Sequence, residues 1–371
     1  MFDVAIIGAG PAGSTIARLL GRYFKIALLE KRDLERGKPC ARNEKCCGGL
    51  LAPDAQKALA ALSLVLPRSV IVDPQLFAVR SVELASGRER YYQRHYINID
   101  RLLFDRWLYS LVPERVARFP SCLIKELIRG PRGFTLRYMK KGGPGSIDAR
   151  LVIGADGARS LVRSLIDGAG RIRRYFAVEE WFACPASPPF YSALFDPAIT
   201  DFYAWTIPKN GELIVGAALD PEREPLKKFE LLKNSLREHG LPLSRPLRKR
   251  SAFLLRPSGP GSIILGAGGL ALAGEAAGLV SPSSGEGLSF ALESAVLLAS
   301  SILQYGENYE KAYARAAAGL RRKIALKILK APFIYNPVLR RIIMRSGMQS
   351  IEMKGNLSWI REGNEAPKTL F

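Results

Sequence analysis

The sequence predicts an α/β fold: a parallel-sheet dinucleotide-binding domain, an inserted antiparallel sheet and a helical C-terminal segment. Three observations predict it. A glycine turn between two apolar runs opens the chain. Two later apolar stretches break into Gly154-Ala155-Asp156-Gly157 and Gly274-Glu275. Between these the pattern changes to short alternating strands rich in aromatics, with no glycine fingerprint.

The opening stretch justifies the first domain. Val4, Ala5, Ile6 and Ile7 form an apolar strand. Gly8, Gly10 and Gly13 follow as G-x-G-x-x-G, with Pro11 and Ala12 inside the turn. Ile16, Ala17, Leu19 and Leu20 then recur at helical spacing, and a second apolar run, Ile26 to Leu29, ends on Glu30. In such a unit one glycine makes the turn, one admits a pyrophosphate against backbone, and one lets the helix pack on the strand. The helix start offers unpaired N–H groups to phosphates. Glu30 lies 17 residues past Gly13, close to the ~20 expected of a carboxylate that takes ribose hydroxyls. Lys31 and Arg32 could hold a 2′-phosphate, but an acid at the ribose position favours a nucleotide without one.

The next loop holds Cys40, Cys46 and Cys47, three of the five cysteines. A metal or iron–sulfur site needs more ligands than this loop offers, and Cys122 and Cys184 are far off in sequence, so no metal is expected. A redox pair, a reactive thiol and an inert loop cysteine all stay open. Gly48 and Gly49 suggest backbone passing close to something flat or phosphorylated. A helix is expected over 54–66, then a hairpin of strands over 76–84 and 89–96. Asp100 is placed to cap a helix over 102–111. Arg101 stands at its entrance, as a phosphate or ribose contact or as a surface salt bridge. Strands over 123–126 and 134–138 precede the apolar Leu151-Val152-Ile153. That strand delivers Asp156 and Gly157 to the carboxyl end of a sheet, where α/β folds bind ligands.

Strands over 191–195, 201–207 and 212–219, with a helix over 226–239, read as a substrate domain. Tyr203 and Trp205 share one strand face, either as a site wall or as ordinary core aromatics. An apolar strand over 262–268 precedes Glu275, whose acid suits sugar-like hydroxyls. Gly285, Glu286, Gly287 and Leu288 open a helix whose start suits an anion or an electron-rich ring. The dinucleotide domain thus takes 1–75, 96–170 and 256–310. The substrate domain takes 76–95 and 171–255. A basic helical region takes 311–371, its last dozen residues poorly ordered.

A chain of 371 residues, 48% hydrophobic and 24% charged, has room for two or three packed units. No apolar run reaches the ~18 residues of a membrane span. The first strand is expected to begin at residue 2, so no secretory leader is expected. Sparse, odd-numbered cysteines suit a reducing cytoplasm. The net charge of +21 calls for an anionic partner or reflects a general basic bias. No nucleic-acid-reading motif is present, so nucleic acid is not expected. Between Arg321 and Arg345 basic residues interleave with Ile, Leu and Phe. An anionic membrane surface, on the inner face, is one candidate partner; a docked helix with a solvated basic face is the other reading.

The glycine turn with Glu30, the Asp156-Gly157 segment and the Gly274-Glu275 segment, in that order, resemble the FAD-dependent oxidoreductases of the p-hydroxybenzoate hydroxylase class. The resemblance covers roughly residues 1–310 and implies a Rossmann-type FAD-binding domain. It implies that Gly8, Gly10, Gly13 and Glu30 hold the ADP half, and that Arg101 and Asp156 lie along the pyrophosphate and ribityl chain. Glu275, where the class usually has Asp, would take the ribityl or pyrophosphate region. Gly285 to Leu288 would face the flavin pyrimidine, where the helix start favours the charge that reduced flavin carries.

Two further pieces resemble the geranylgeranyl reductase branch of that class. One is Lys38-Pro39-Cys40 with Cys47-Gly48-Gly49-Leu50-Leu51, in which 41–46 looks like an insertion. Adjacency to the glycines favours Cys47 over Cys40 as the family cysteine. The other is Tyr203-x-Trp205-x-Ile207-Pro208. The stretch from Gly48 to Gln56 and that from Ala273 to Gly287 are closer still to a bacterial set, the CbrA-like oxidoreductases.

The resemblance implies a flavin enzyme that reduces C=C bonds of isoprenoid lipids. Hydride would come from reduced FAD and a proton from a nearby acid or water. Tyr203 and Trp205 would wall an apolar tunnel, and Cys47 would sit near the ring as proton donor or gate. With no second nucleotide fingerprint, NAD(P)H would dock transiently or a ferredoxin-like donor would supply electrons. Two other readings stand beside it. A flavin monooxygenase or halogenase acting on an aromatic or apolar substrate is one, because the halogenase Trp-x-Trp-x-Ile-Pro is similar to residues 203–208. A non-catalytic flavin redox sensor using the cysteine cluster is the other.

Overall fold

A computed structural model describes residues 1–35, 45–186 and 188–351. Lys38, Pro39 and Cys40, and the expected disordered last dozen residues, lie outside the described residues. The opening unit is β1 (Phe2–Ile7), α1 (Pro11–Leu20) and β2 (Ile26–Leu29). β3 (Leu50–Leu51) and α2 (Pro53–Ala61) follow the cysteine loop. Next come β4 (Leu76–Glu83), β5 (Arg88–Asn98), α3 (Arg101–Ser110) and β6 (Ala117–Phe119). A meander of β7 (Leu123–Gly130), β8 (Gly133–Lys140) and β9 (Gly143–Gly154) leads to the short α4 (Leu161–Ser164). The inserted sheet adds β10 (Arg173–Ala183), β11 (Tyr191–Phe195), β12 (Ala204–Lys209), β13 (Glu212–Leu219), α5 (Pro225–Glu238) and β14 (Arg248–Arg256). The chain returns through β15 (Gly266–Ala267) and β16 (Leu270–Leu272). It continues as helices α6 (Leu288–Tyr305), α7 (Tyr309–Ala316), α8 (Ala318–Tyr335) and α9 (Pro337–Ser346).

One sheet runs β15-β16-β9-β1-β2-β6, with β8 and β7 attached to the first half of β9. Its central pairs, β16–β9, β9–β1, β1–β2 and β2–β6, are parallel. Helices cover the sheet, so the central strands are buried and read as unbroken apolar runs. Ile7, Leu29, Gly154 and Leu272 therefore end at one sheet edge.

The second sheet runs β14-β10-β13-β12-β11-β4-β5-β3 and is antiparallel except for β11–β4. Strand alternation splits its residues between two faces. Val178, Phe182, Val215 and Ala217 pack on Phe229, Leu232 and Leu236 of α5. Tyr175, Trp181, Trp205 and Ile207 cluster on the other face with Cys46. The adjacent Glu179 and Glu180 divide in the same way, Glu180 pairing with Lys233 of α5 at 2.8 Å.

Four expectations need correction. The strand expected over 262–268 is displaced: the strand that joins the parallel sheet is β16. Gly268 and Gly269, with φ of +58° and +80°, turn the chain back on itself there, so the apolar stretch before them mostly approaches the sheet. The helix expected over 54–66 stops at Ala61, followed by Ser63 at φ +53°. The inserted sheet takes residues earlier than 76, because β3 pairs with the end of β5. The stretch Leu288–Tyr335 does contain an 18-residue window apolar enough to cross a membrane, but 56% of that window is buried within the fold.

Candidate functional site

The parallel sheet edge and the inner face of the second sheet enclose one cleft. Gly10, Pro11 and Ala12 line it from the end of β1, Ala155 and Gly157 from the end of β9, and Gly274 and Glu275 from the end of β16. Cys46 to Leu50, Arg101, Tyr203, Trp205 and Gly285 to Leu288 line it as well. The three motifs and the aromatic pair, far apart in sequence, thus meet. Gly8, Gly13, Glu30, Lys31 and Asp156 stand outside that lining, and Lys31 is exposed.

The glycines divide their tasks. A Cβ at Gly13 would lie 1.8 Å from the Gly8 carbonyl oxygen, so Gly13 sets how α1 packs on β1. A Cβ at Gly10 would meet no protein atom within 4 Å. Gly10 opens α1, and no side chain caps that helix. An uncapped helix start bordering an open cleft suits phosphate.

Asp156 Oδ2 accepts the Leu161 N–H at 2.7 Å. Its Oδ1 is buried without a partner among the described residues, and burial raises the carboxyl above its usual range. An orphaned buried acceptor in this place suits a ligand hydroxyl. Together with the open Gly10 edge, it makes the residues fit a dinucleotide such as FAD. Glu275 spends Oε1 on the Leu255 N–H at 3.0 Å and keeps Oε2 3.8 Å from Lys45 Nζ.

Glu30 is more occupied than its motif suggests. It accepts from the Ala9 N–H at 2.8 Å, the Arg32 N–H at 3.0 Å, and Arg32 Nε and Nη2 at 3.1 and 3.2 Å. Those donors match the roughly four lone-pair sites of a carboxylate, so a ribose hydroxyl must displace one of them. Burial alone would raise Glu30, but Arg32 and the backbone donors hold it below its usual range. Arg32 goes on to Asp105 at 2.7 Å. Asp105 takes Arg101 Nε at 2.9 Å, and Arg101 Nη1 donates to Cys47 Sγ at 3.3 Å. Arg32 is thereby committed inward rather than held ready for a 2′-phosphate.

At the other end, the Tyr203 hydroxyl donates to the Ser284 carbonyl at 2.6 Å, and its ring centroid lies 5.5 Å from that of Trp205. The Glu286 carboxylate accepts the Ser289 N–H and hydroxyl at 2.8 and 2.7 Å. An anion of the chain's own therefore already takes up part of the α6 start.

Sequence reasoning missed Glu179. It is fully buried on β10 yet borders the cleft. The Cys47 N–H donates to its Oε2 at 3.0 Å and the Trp205 indole to its Oε1 at 3.2 Å. Burial outweighs these donors and pushes the carboxyl up to about 7. Beside it, burial and then Glu179 itself push the Cys46 thiol well up. Lys209, also missed, donates to the carbonyls of Gly49 and Ile99 at 3.1 and 2.7 Å, and burial pushes it down to about 7. The available signal was two acids inside an aromatic strand, Tyr175 to Phe182.

No family model matches the chain. It is 41% identical over 352 residues to the protein CbrA of Escherichia coli O139:H28, covering 94% of this chain and 98% of that one. Its structure is similar to a geranylgeranyl bacteriochlorophyll reductase-like protein of Thermoplasma acidophilum. That match has a TM-score of 0.69 at 20% identity, over 93% of this chain and 98% of the other. It is also similar to PqsL, a probable FAD-dependent monooxygenase of Pseudomonas aeruginosa, with a TM-score of 0.67 at 18% identity over 94% and 99% of the two chains. At those identities the likeness is one of fold, the Rossmann-type α/β architecture of flavoproteins with a second sheet. The relationship to CbrA is closer and runs almost end to end through both proteins, and on it the chain belongs to the CbrA family.

Proposed function

We propose that this chain is an FAD-dependent oxidoreductase that reduces C=C bonds of isoprenoid, geranylgeranyl-type lipids. The observation that carries the reading is a buried acid, Glu179, bordering the cleft where the dinucleotide motifs and the aromatic wall meet. Bound FAD, once reduced, supplies a hydride from its ring. Gly10, Pro11 and Ala12 would hold the pyrophosphate, Asp156 Oδ1 a hydroxyl, and Gly285 to Leu288 the pyrimidine edge.

Adding hydride to a C=C bond leaves the second carbon one proton short. Glu179 holds a proton on its carboxyl, and a value of about 7 keeps a substantial fraction protonated at neutral pH. The Trp205 indole and the Cys47 N–H fix its orientation. Tyr203, Trp205, Tyr191, Ile207 and Leu254 give the cleft an apolar wall that excludes water and suits a prenyl chain. Cys47, between Arg101 and Glu179, gates the ring end. NAD(P)H or a ferredoxin-like protein is the electron donor.

One observation favours a second reading, oxygen chemistry by a monooxygenase or halogenase: residues 203–208 are similar to the halogenase motif. The deciding experiment is anaerobic. The protein is loaded with FAD, reduced chemically, freed of reductant and mixed with a geranylgeranyl lipid. Return of the oxidised-flavin absorption, with a saturated product by mass, is the expected result. No return without oxygen, but rapid return with oxygen and an aromatic substrate, would sink the reductase reading.

A further inference from the structure

The last two described helices carry a surface that the cleft does not use. From Ala318 to Ile351 the chain has eight Lys and Arg and no Asp or Glu. α8 packs inward through Leu320 and Ile324, while Leu326, Leu329 and Phe333 are 50%, 69% and 52% exposed. α9 buries Arg340 and Met344 and leaves Val338 and Ile342 63% and 59% exposed. At roughly 3.6 residues per turn, Leu326, Leu329 and Phe333 share a face with Arg322 and Lys330. Val338 and Ile342 likewise share theirs with Arg341 and Arg345. Lys323–Glu293 at 2.8 Å and Arg341–Glu83 at 3.3 Å tie both helices to the body.

We propose that this face docks on an anionic lipid bilayer. Charge alone would suit any polyanion, and the chain as a whole carries +21. A nucleic acid would match the cations but meet the Leu, Phe and Ile side chains with a polar, charged surface. A headgroup layer over an acyl boundary matches both, cations to lipid phosphates and apolar side chains to the acyl edge. The docked helix also ends against the loop that carries Ser284 to the cleft. Tyr335, the last residue of α8, donates its hydroxyl to the Ser283 carbonyl at 2.8 Å, next to the Ser284 carbonyl that Tyr203 holds. The docking stands without the reductase reading, because no part of it depends on turnover.

The test floats the purified full-length chain with vesicles of phosphatidylcholine alone or of phosphatidylcholine with phosphatidylglycerol. The chain floats with the anionic vesicles, and less so as salt rises. The double variant Leu329→Ser with Phe333→Ser lowers the bound-to-free ratio about tenfold or more, with an unchanged melting temperature. Failure of the parent chain to float with anionic vesicles overturns the proposal. So does flotation that the double variant leaves intact, which is the behaviour of a general polyanion binder. A dimer in vesicle-free buffer that the double variant dissociates, with no flotation, makes the face a contact between two copies and overturns it as well.

Discussion

Trp205 reaches the buried carboxylate of Glu179 by lying across a glycine. Glu179 on β10 stands opposite Gly216 on β13, and Gly216 stands opposite Trp205 on β12. A Cβ at Gly216 would lie 2.4 Å from the indole. The 3.2 Å bond therefore spans three strands and depends on a residue with no side chain at the middle position.

Gly216→Val should push the indole off this path and strip Glu179 of a donor. The expected cost is about 2–4 kcal/mol, from overpacking plus a lost buried hydrogen bond. Urea unfolding measures it. Trp205→Phe removes the donor without the clash and should cost only about 1–2 kcal/mol.

Stability should dip near neutral pH. Glu179 has its folded value raised from 4.5 to about 7, so the stability it contributes is complete below pH 4.5 and is lost as pH rises through 7. Lys209 has its folded value lowered from 10.5 to about 7, so stability returns between pH 7 and 10.5. Glu179→Gln removes the falling arm alone. Between pH 4.5 and 7 the parent should lose up to about 3 kcal/mol relative to the variant. Denaturant titrations across that range read the difference. A flat difference would mean that Glu179 does not titrate there.

Two glycines of one motif should fail in different ways. Gly13→Ala drives a Cβ onto the Gly8 carbonyl and should lower the melting temperature sharply, with or without ligand. Gly10→Ala adds a methyl toward open space. It should fold like the parent and lose FAD affinity by tenfold or more, read from flavin fluorescence. Equal FAD affinity in Gly10→Ala and parent would place the pyrophosphate elsewhere.

Asp105→Asn should cost about 3–5 kcal/mol, because it leaves the buried guanidiniums of Arg32 and Arg101 short of a counter-charge. Unfolding by urea reads this directly.

The parallel half of the fold was legible because its signals are local. Val4 to Ile7 and Ile26 to Leu29 are buried on both faces and so carry no alternation, and the glycine turn lies between them. Gly157 and Gly274-Glu275 reach the cleft because they follow the apolar strands β9 and β16, and Gly285 to Leu288 reach it as the start of α6. What escaped depended on pairing across strands. Nothing in the pair Glu179-Glu180 reveals that one carboxylate meets Lys233 while the other meets an indole. Gly216 did carry a local cue, a glycine inside a strand, but its partner was fixed only by register. The misplaced strand at 262–268 has the same origin: apolar content marks a buried segment, and the Gly268-Gly269 turn decides which part of it pairs.

The ion ladder Glu30–Arg32–Asp105–Arg101 sets two carboxylates against two guanidiniums, all of them buried. It sums to zero, so the whole excess of +21 resides elsewhere on the molecule. Dissolved ions cannot enter the ladder, whereas at physiological ionic strength they screen exposed charges over about 8 Å. The protein therefore has two electrostatic compartments. Raising the salt concentration should leave the joint between the nucleotide turn and the cysteine loop intact while silencing the attraction of its outer surface for anions.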